Sequence, residues 1–240
     1  MKKSIICHLF YPKVAKQLLW KLQALNDDDS TFFFNIQSDN NGYGFLNDEI
    51  KNVFHNAQIV STPNKGRDIG AKLYLINLLI ELKFASKYTL IIHDKKSPHL
   101  GNGDLWRNEL FKIINPLNLN RVFEIFENQP SVGIVGSSKY IQNEYIKETD
   151  SFACNSNEQI KDVLKKYDIH TSDYNFVAGN IFWIRTMLLK QFFENRSILE
   201  IRADLETGNA LDFDKGTYIH SWERVMSWIA TSQEYKIYGV

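Results

Sequence analysis

Four apolar runs, Ser4–Phe10, Thr31–Ile36, Ala57–Val60 and Tyr88–Ile92, alternate with stretches of helical period. This alternation constrains the chain more than any other feature. After the first run, Val14, Leu18, Leu22 and Leu25 share a face with Leu19. Leu46–Phe54 gives a shorter helix. From Asp68 to Phe84 the apolar positions are Leu73, Ile76, Leu79, Ile80 and Phe84. Strands that alternate with helices pair in parallel and have both faces covered. The expected fold class is therefore α/β, a mostly parallel central sheet flanked by helices.

The pattern continues with helices over Asp104–Ile114 and Leu119–Glu127 and a short strand at Val132–Val135. Residues Ser137–Lys161 are polar and weakly periodic, which predicts a partly helical insertion. Asn175–Ile184 reads as one strand, Thr186–Phe193 as a helix and Asn195–Phe213 as irregular. Thr217–Ala230 reads as a helix and Tyr235–Tyr238 as a final strand. With no repeat and no linker composition, a single domain over residues 1–240 is expected.

Composition narrows the partners. The 28 basic and 28 acidic residues cancel, so no nucleic-acid surface is expected from the balance. Cys7 and Cys154 stand far apart, without metal-ligand spacing, and read as buried reduced thiols of a cytosolic protein. The apolar start of the chain stops at Tyr11-Pro12-Lys13, too early for a signal peptide. No run approaches the ~20 apolar residues that span a bilayer, so membrane association would have to be peripheral or through a partner.

Chemistry concentrates in four places. Asn64-Lys65-Gly66-Arg67-Asp68-Ile69-Gly70 follows the third strand. Its glycines open backbone angles closed to other residues, and a helix starting near Asp68 would aim free N–H groups at an anion. Arg67 could fork onto a phosphate or stack on a base, and Asp68 could accept from a ribose or base. An ordinary turn with Asp68 as helix N-cap is the plain alternative. His93-Asp94-Lys95-Lys96-Ser97-Pro98-His99 follows the fourth strand, where a parallel sheet lines a ligand crevice. Lys95 and Lys96 suit a diphosphate leaving group, and Asp94 with His93 suits a metal; a solvated charged loop is the alternative.

In the third place, Phe176–Arg185, Phe182 and Trp183 offer either a sugar-stacking wall or plain core. In the fourth, His220 and Glu223 share a helix face, one to contact a phosphate or metal and the other to deprotonate an acceptor hydroxyl. A surface Glu–Arg pair beside a satisfied histidine is the alternative there. Asp204, Glu206, Asp212 and Asp214 precede that helix as rival carboxylates, and spacing does not choose between them.

Together these four places resemble the rhamnan synthesis protein F family. The resemblance rests on Asn64–Gly70, on His93–Ser97, on Ala178-Gly179-Asn180-Ile181-Phe182-Trp183, and on Gly216-Thr217 followed by His220, Glu223 and Arg224. Asp94 stands where the family motif has threonine, and Lys215 where relatives tend to have aspartate. The resemblance implies a GT-A-like, Rossmann-like fold and an inverting glycosyltransferase. A nucleotide-sugar donor would give up rhamnose, or another hexose such as galactose or galactofuranose, to a growing cell-surface polysaccharide.

On that reading about residues 1–135 hold the donor and about residues 136–240 form the acceptor side. Donor contacts fall to Asn64, Gly66, Arg67, Asp68, His93, Asp94, Lys95, Lys96, Ser97 and His220. Asp94 and His220 are the candidate ligands for Mg2+ or Mn2+. Glu223 is the first choice of base, with Asp212 and Asp214 as rivals. The acceptor would be a glycan or lipid-linked saccharide, and the site of action the cytoplasm or the inner face of the membrane, beside assembly machinery. The alternatives are a non-catalytic sugar-nucleotide-binding module of a larger synthase and a phosphotransferase using Lys95 and Lys96.

Overall fold

The computed structural model describes residues 1–38, 42–94, 103–210 and 216–240. Its first half lays parallel strands to either side of β1. β1 (Lys3–Leu9), β2 (Ser30–Gln37) and β3 (Gln58–Thr62) lie side by side in parallel, and β4 (Tyr88–His93) pairs in parallel with the other edge of β1. Between them run α1 (Pro12–Leu22), α2 (Tyr43–Val53) and α3 (Arg67–Glu81). α4 (Gly103–Leu110) and α5 (Pro116–Asn128) lead into β5 (Val132–Gly136).

The second half finishes the same sheet. Two small antiparallel pairs come first: β6 (Ile141–Gln142) with β9 (Phe176–Val177), and β7 (Tyr145–Ile146) with β8 (Ser151–Phe152); α6 (Asn157–Lys166) lies between β8 and β9 in the chain. β10 (Phe182–Arg185) then inserts antiparallel between β4 and β5. α7 (Thr186–Phe193), α8 (Ile198–Asp204) and α9 (Tyr218–Thr231) precede β11 (Lys236–Gly239), which pairs in parallel with β5. The resulting seven-stranded order among the described residues is β11-β5-β10-β4-β1-β2-β3. It is a mostly parallel, helix-flanked, Rossmann-like sheet, as the sequence pattern predicts.

Side-chain alternation divides the core. Ile6, Phe33, Ile91 and Phe182 pack with the apolar stripes of α3, α7, α8 and α9. Cys7, Phe34, Leu90 and Trp183 pack with α1, α2, α4 and α5. The strand order reverses between β1 and β4, and in such sheets the crevice at the carboxyl ends of those two strands is where ligands sit.

Several expectations change. The stretch 175–184 is not one strand: it breaks into β9 and β10 around Gly179 (φ 87°) and Asn180 (φ 52°), left-handed angles that no strand sustains. The irregular stretch 195–213 contains α8, whose Ser197 hydroxyl accepts from the Glu200 N–H at 3.4 Å. Helix α6 runs on to Lys166, past the expected insertion. The N-cap of α3 is Gly66 (φ 79°) rather than Asp68, which lies in the first turn. Phe182 and Trp183 are fully buried, and the Trp183 indole donates to the Ile113 carbonyl, so neither is a stacking wall. Cys7 is buried but Cys154 is only half-buried; neither is in a disulfide. Among the described residues no helix is long and apolar enough to cross a membrane.

Candidate functional site

The carboxyl ends of β1 to β4 carry a polar layer on the α3 face of the sheet, at the positions where the apolar alternation would have continued. His8 pairs in register with both Asn35 and His93. The Asn35 amide lies 3.2 Å from the His8 ring nitrogen and donates to the Thr62 hydroxyl at 3.0 Å. His8, Asn35, Thr62 and His93 are all buried. His8 and Asn35 are marked in the sequence only as polar residues near the ends of otherwise apolar strands.

From α3, Asp68 and Lys72 close over this layer. The Asp68 carboxylate stands 3.6 Å from the His93 ring and accepts from the Lys72 ammonium at 2.8 Å. Lys72 is fully buried and also donates to the Asn180 carbonyl at 2.9 Å. The Asn180 side chain in turn donates to the Glu223 carbonyl at 2.7 Å. One line of contacts, His93–Asp68–Lys72–Asn180–Glu223, thus joins all four sequence motifs. Buried charges keep such positions only when paired, and Lys72 has both a carboxylate and a carbonyl. Lys72 and Asn180 were missed as site residues, because a lysine one turn after Asp68 reads as an ordinary helix pair.

The loop ahead of α3 is clamped by the segment around α8. Gly66 donates its N–H to the Glu206 carbonyl, the Asn64 amide donates to Asn209 at 3.1 Å, and Arg67 reaches the Ala210 carbonyl at 3.4 Å. Arg202 donates to the carbonyls of Gly70 and Pro63. The Glu206 carboxylate meanwhile accepts from the N–H groups of Tyr218 and Ile219, holding the start of α9. Glu206 is therefore a brace between the glycine loop and α9. Asp204 faces elsewhere, paired with Lys166 at 2.6 Å.

The two candidate metal ligands are both engaged in local structure. The buried Asp94 carboxylate accepts from the backbone N–H groups of Phe10 and Tyr11, tying the end of β4 to the start of α1. Burial pushes its carboxyl well above the usual range, and those two N–H groups pull it back. The His220 ring nitrogen Nδ1 lies 2.5 Å from the Thr217 hydroxyl that caps α9. Among the described residues no group of three or more His, Cys, Asp or Glu side chains is arranged to hold a metal ion. The described residues thus do not fit a divalent-ion site. Glu223 has a quarter-exposed side chain, 3.7 Å from Arg224, and Arg224 is held by three hydrogen bonds to Glu144. Lys95, Lys96, Ser97, Asp212 and Asp214 lie outside the described residues.

The polar layer carries a pH signature. Burial holds the His8 imidazole down at about 4, with the Asp68 carboxylate pulling it upward. An exposed histidine in the unfolded chain titrates near 6.5. As pH falls through that window the unfolded chain takes up a proton that the folded chain refuses, so stability is lost, by about 3 kcal/mol in full. Asp94 contributes with the opposite sign, but it is common to wild type and His8→Gln. The stability advantage of wild type over His8→Gln should therefore shrink by about 2–3 kcal/mol between about pH 7 and about pH 4.5, as read from urea unfolding. A difference that stays constant with pH contradicts a neutral, buried His8.

Comparison with known proteins supplies an independent line. The profile of the family described as rhamnan synthesis protein F matches residues 1–235. An uncharacterized protein WxcX of Xanthomonas campestris pv. campestris (strain B100) is 24% identical over 188 residues, which are 75% of this chain and 25% of that protein. Its counterpart in a second strain of the organism is 23% identical over the same shares of the two chains. The chain thus spans about a quarter of the length of these curated relatives.

Proposed function

The chain belongs to the rhamnan synthesis protein F family, and so to polysaccharide synthesis; on that premise we propose that it is an inverting glycosyltransferase of GT-A-like fold using a nucleotide-sugar donor. The observation that carries this reading is the line of contacts from His93 through Asp68, Lys72 and Asn180 to Glu223, at the reversal of strand order. It ties the helix behind the glycine loop, a histidine at a strand end and, through the Glu223 backbone carbonyl, helix α9 to the strand-order reversal where a parallel sheet takes a nucleotide.

In the proposed reaction the acceptor hydroxyl attacks the anomeric carbon from the side opposite the nucleoside diphosphate. A new C–O bond forms as the bond to the diphosphate breaks, and the hydroxyl proton passes to a carboxylate. We assign that proton to Glu223, with Asp212 and Asp214 as the rival acceptors. Arg67, Lys95 and Lys96 take the charge growing on the diphosphate. The first turn of α3 offers the phosphates backbone N–H groups. Asp68 and Lys72 are positioning residues that hold His93 and the Asn180 turn. Residues 1–135 form the donor side and 136–240 the acceptor side. The sugar is rhamnose or a related hexose, and the acceptor a glycan or a lipid-linked saccharide.

Calorimetric titration tests this reading. A nucleoside diphosphate should bind at least about tenfold more tightly than its nucleoside, because the assigned cations and the N–H groups of the first turn of α3 contact phosphate. Equal affinity for the two, or no binding of either across the common bases, would overturn it.

A further inference from the structure

We propose that the outer face of α1 docks on an anionic membrane surface. The helix buries Ala15, Leu18, Leu19 and Leu22 against the sheet and turns Lys13, Lys16, Gln17 and Trp20 to solvent. These four recur at the three- and four-residue spacing of one helix face. Trp20 is 70% exposed, among the most exposed of the large apolar side chains. It lines an open groove with Lys16, Gln17, Lys21 and, from α4, Asn108. The rim continues the theme: the Lys16 ammonium sits 3.9 Å over the ring of Phe45, itself half exposed, and Leu105 is 67% exposed one turn before Asn108.

Charge decides between occupants. The whole chain is electrically neutral, yet α1 carries three lysines and no acid. None of the three is in an ion pair among the described residues. The acids of neighbouring α4 are already matched, Asp104 by Arg107 at 3.0 Å and Glu109 by Lys112 and Lys139. On α2, Asp48 and Glu49 lie one turn along from Phe45 and are partly offset by Lys51, so the three lysines of α1 leave that flank with more positive than negative charge. The result is a small positive field around isolated aromatic and aliphatic side chains. A protein partner would call for an interface of about 800 Å² on this side with a contiguous apolar centre. Separate rings and long lysines spread over α1 and its neighbours suit a headgroup layer instead: the indole enters the interface and the lysine stems snorkel to phosphate. This inference does not depend on the proposed transfer reaction, since it uses none of the residues assigned to it.

Co-sedimentation with vesicles is the test. The 240-residue chain should pellet with phosphatidylcholine–phosphatidylglycerol vesicles, more weakly as salt rises, and not with phosphatidylcholine alone. Each lysine near an anionic surface multiplies partitioning by about fivefold, so Lys16→Ala with Lys21→Ala should lower it about 25-fold. Trp20→Ala should lower it too. All variants should keep the parent circular dichroism and nucleoside diphosphate affinity. Three results would overturn the proposal: no binding to anionic vesicles, equal binding to both vesicle types, or variants that bind as the parent does. Self-association of the free chain that Trp20→Ala abolishes, seen by sedimentation velocity, would also overturn it by assigning the face to a second copy.

Discussion

Glu223→Gln is expected to lower turnover about 100-fold while leaving donor affinity nearly unchanged. The substitution keeps the shape of the side chain and the α9 backbone. It therefore keeps the Glu223 carbonyl that accepts from Asn180, and removes only the basic oxygen. The usual scale of general-base catalysis sets the magnitude, about 2.7 kcal/mol of barrier. Arg224 is committed to Glu144 by hydrogen bonds of 2.8 to 2.9 Å and approaches Glu223 only to 3.7 Å, so Glu223 is not locked in an ion pair. The rate should fall in kcat with little change in the donor KM. A variant as active as the parent would pass the role to Asp212 or Asp214.

Gly70→Ala should cost about 3 kcal/mol of stability and weaken nucleoside diphosphate binding at least about tenfold. A methyl group at Gly70 would overlap the Lys65 carbonyl oxygen and lie 2.8 Å from its carbon. Both are backbone atoms of the glycine loop, so no rotamer change can relieve the clash. The loop would have to leave the N-terminus of α3, and with it go the bonds from Arg202 to Gly70 and Pro63. Urea unfolding should show a lower midpoint with an unchanged slope. An alanine tolerated within about 0.5 kcal/mol would mean that the loop is not pinned as described.

The central parallel strands β1, β2 and β4 were legible because they are buried on both faces and show as largely apolar runs. β1, β2 and β4 sit within a residue or so of the stretches read from sequence. The position of β10 was not legible: Phe182–Arg185 is apolar whether it runs parallel or antiparallel, and only its pairing with Ile91 and Val135 fixes it. Gly179 and Asn180 could have marked the break before it, since both residue types tolerate positive φ. Helix α8 had a start signal in Ser197 and Glu200, outweighed by the polar stretch around it. At the candidate site, the approach of Asp68 to His93 was legible because each follows a parallel strand, whereas Glu223 meets the other motifs through its backbone carbonyl rather than the carboxylate singled out in sequence. Lys72 and Asn180 were not legible, since their importance lies in long-range contacts, α3 to the β9–β10 turn and that turn to α9. Asp94 shows the converse: a carboxylate well placed in sequence for a metal is spent on the N–H groups of Phe10 and Tyr11.

The proposed reaction moves a sugar from a nucleotide to the acceptor by a single in-line displacement. The most direct measurement is NMR of the product formed from a panel of nucleotide-sugars and a synthetic saccharide acceptor. One β-linked donor should be consumed, and its sugar should appear α-linked on the acceptor. A β-linked product from that donor would contradict the single displacement. No transfer from any donor, with nucleotide-sugar binding intact, would contradict catalysis itself and leave a binding module of a larger synthase.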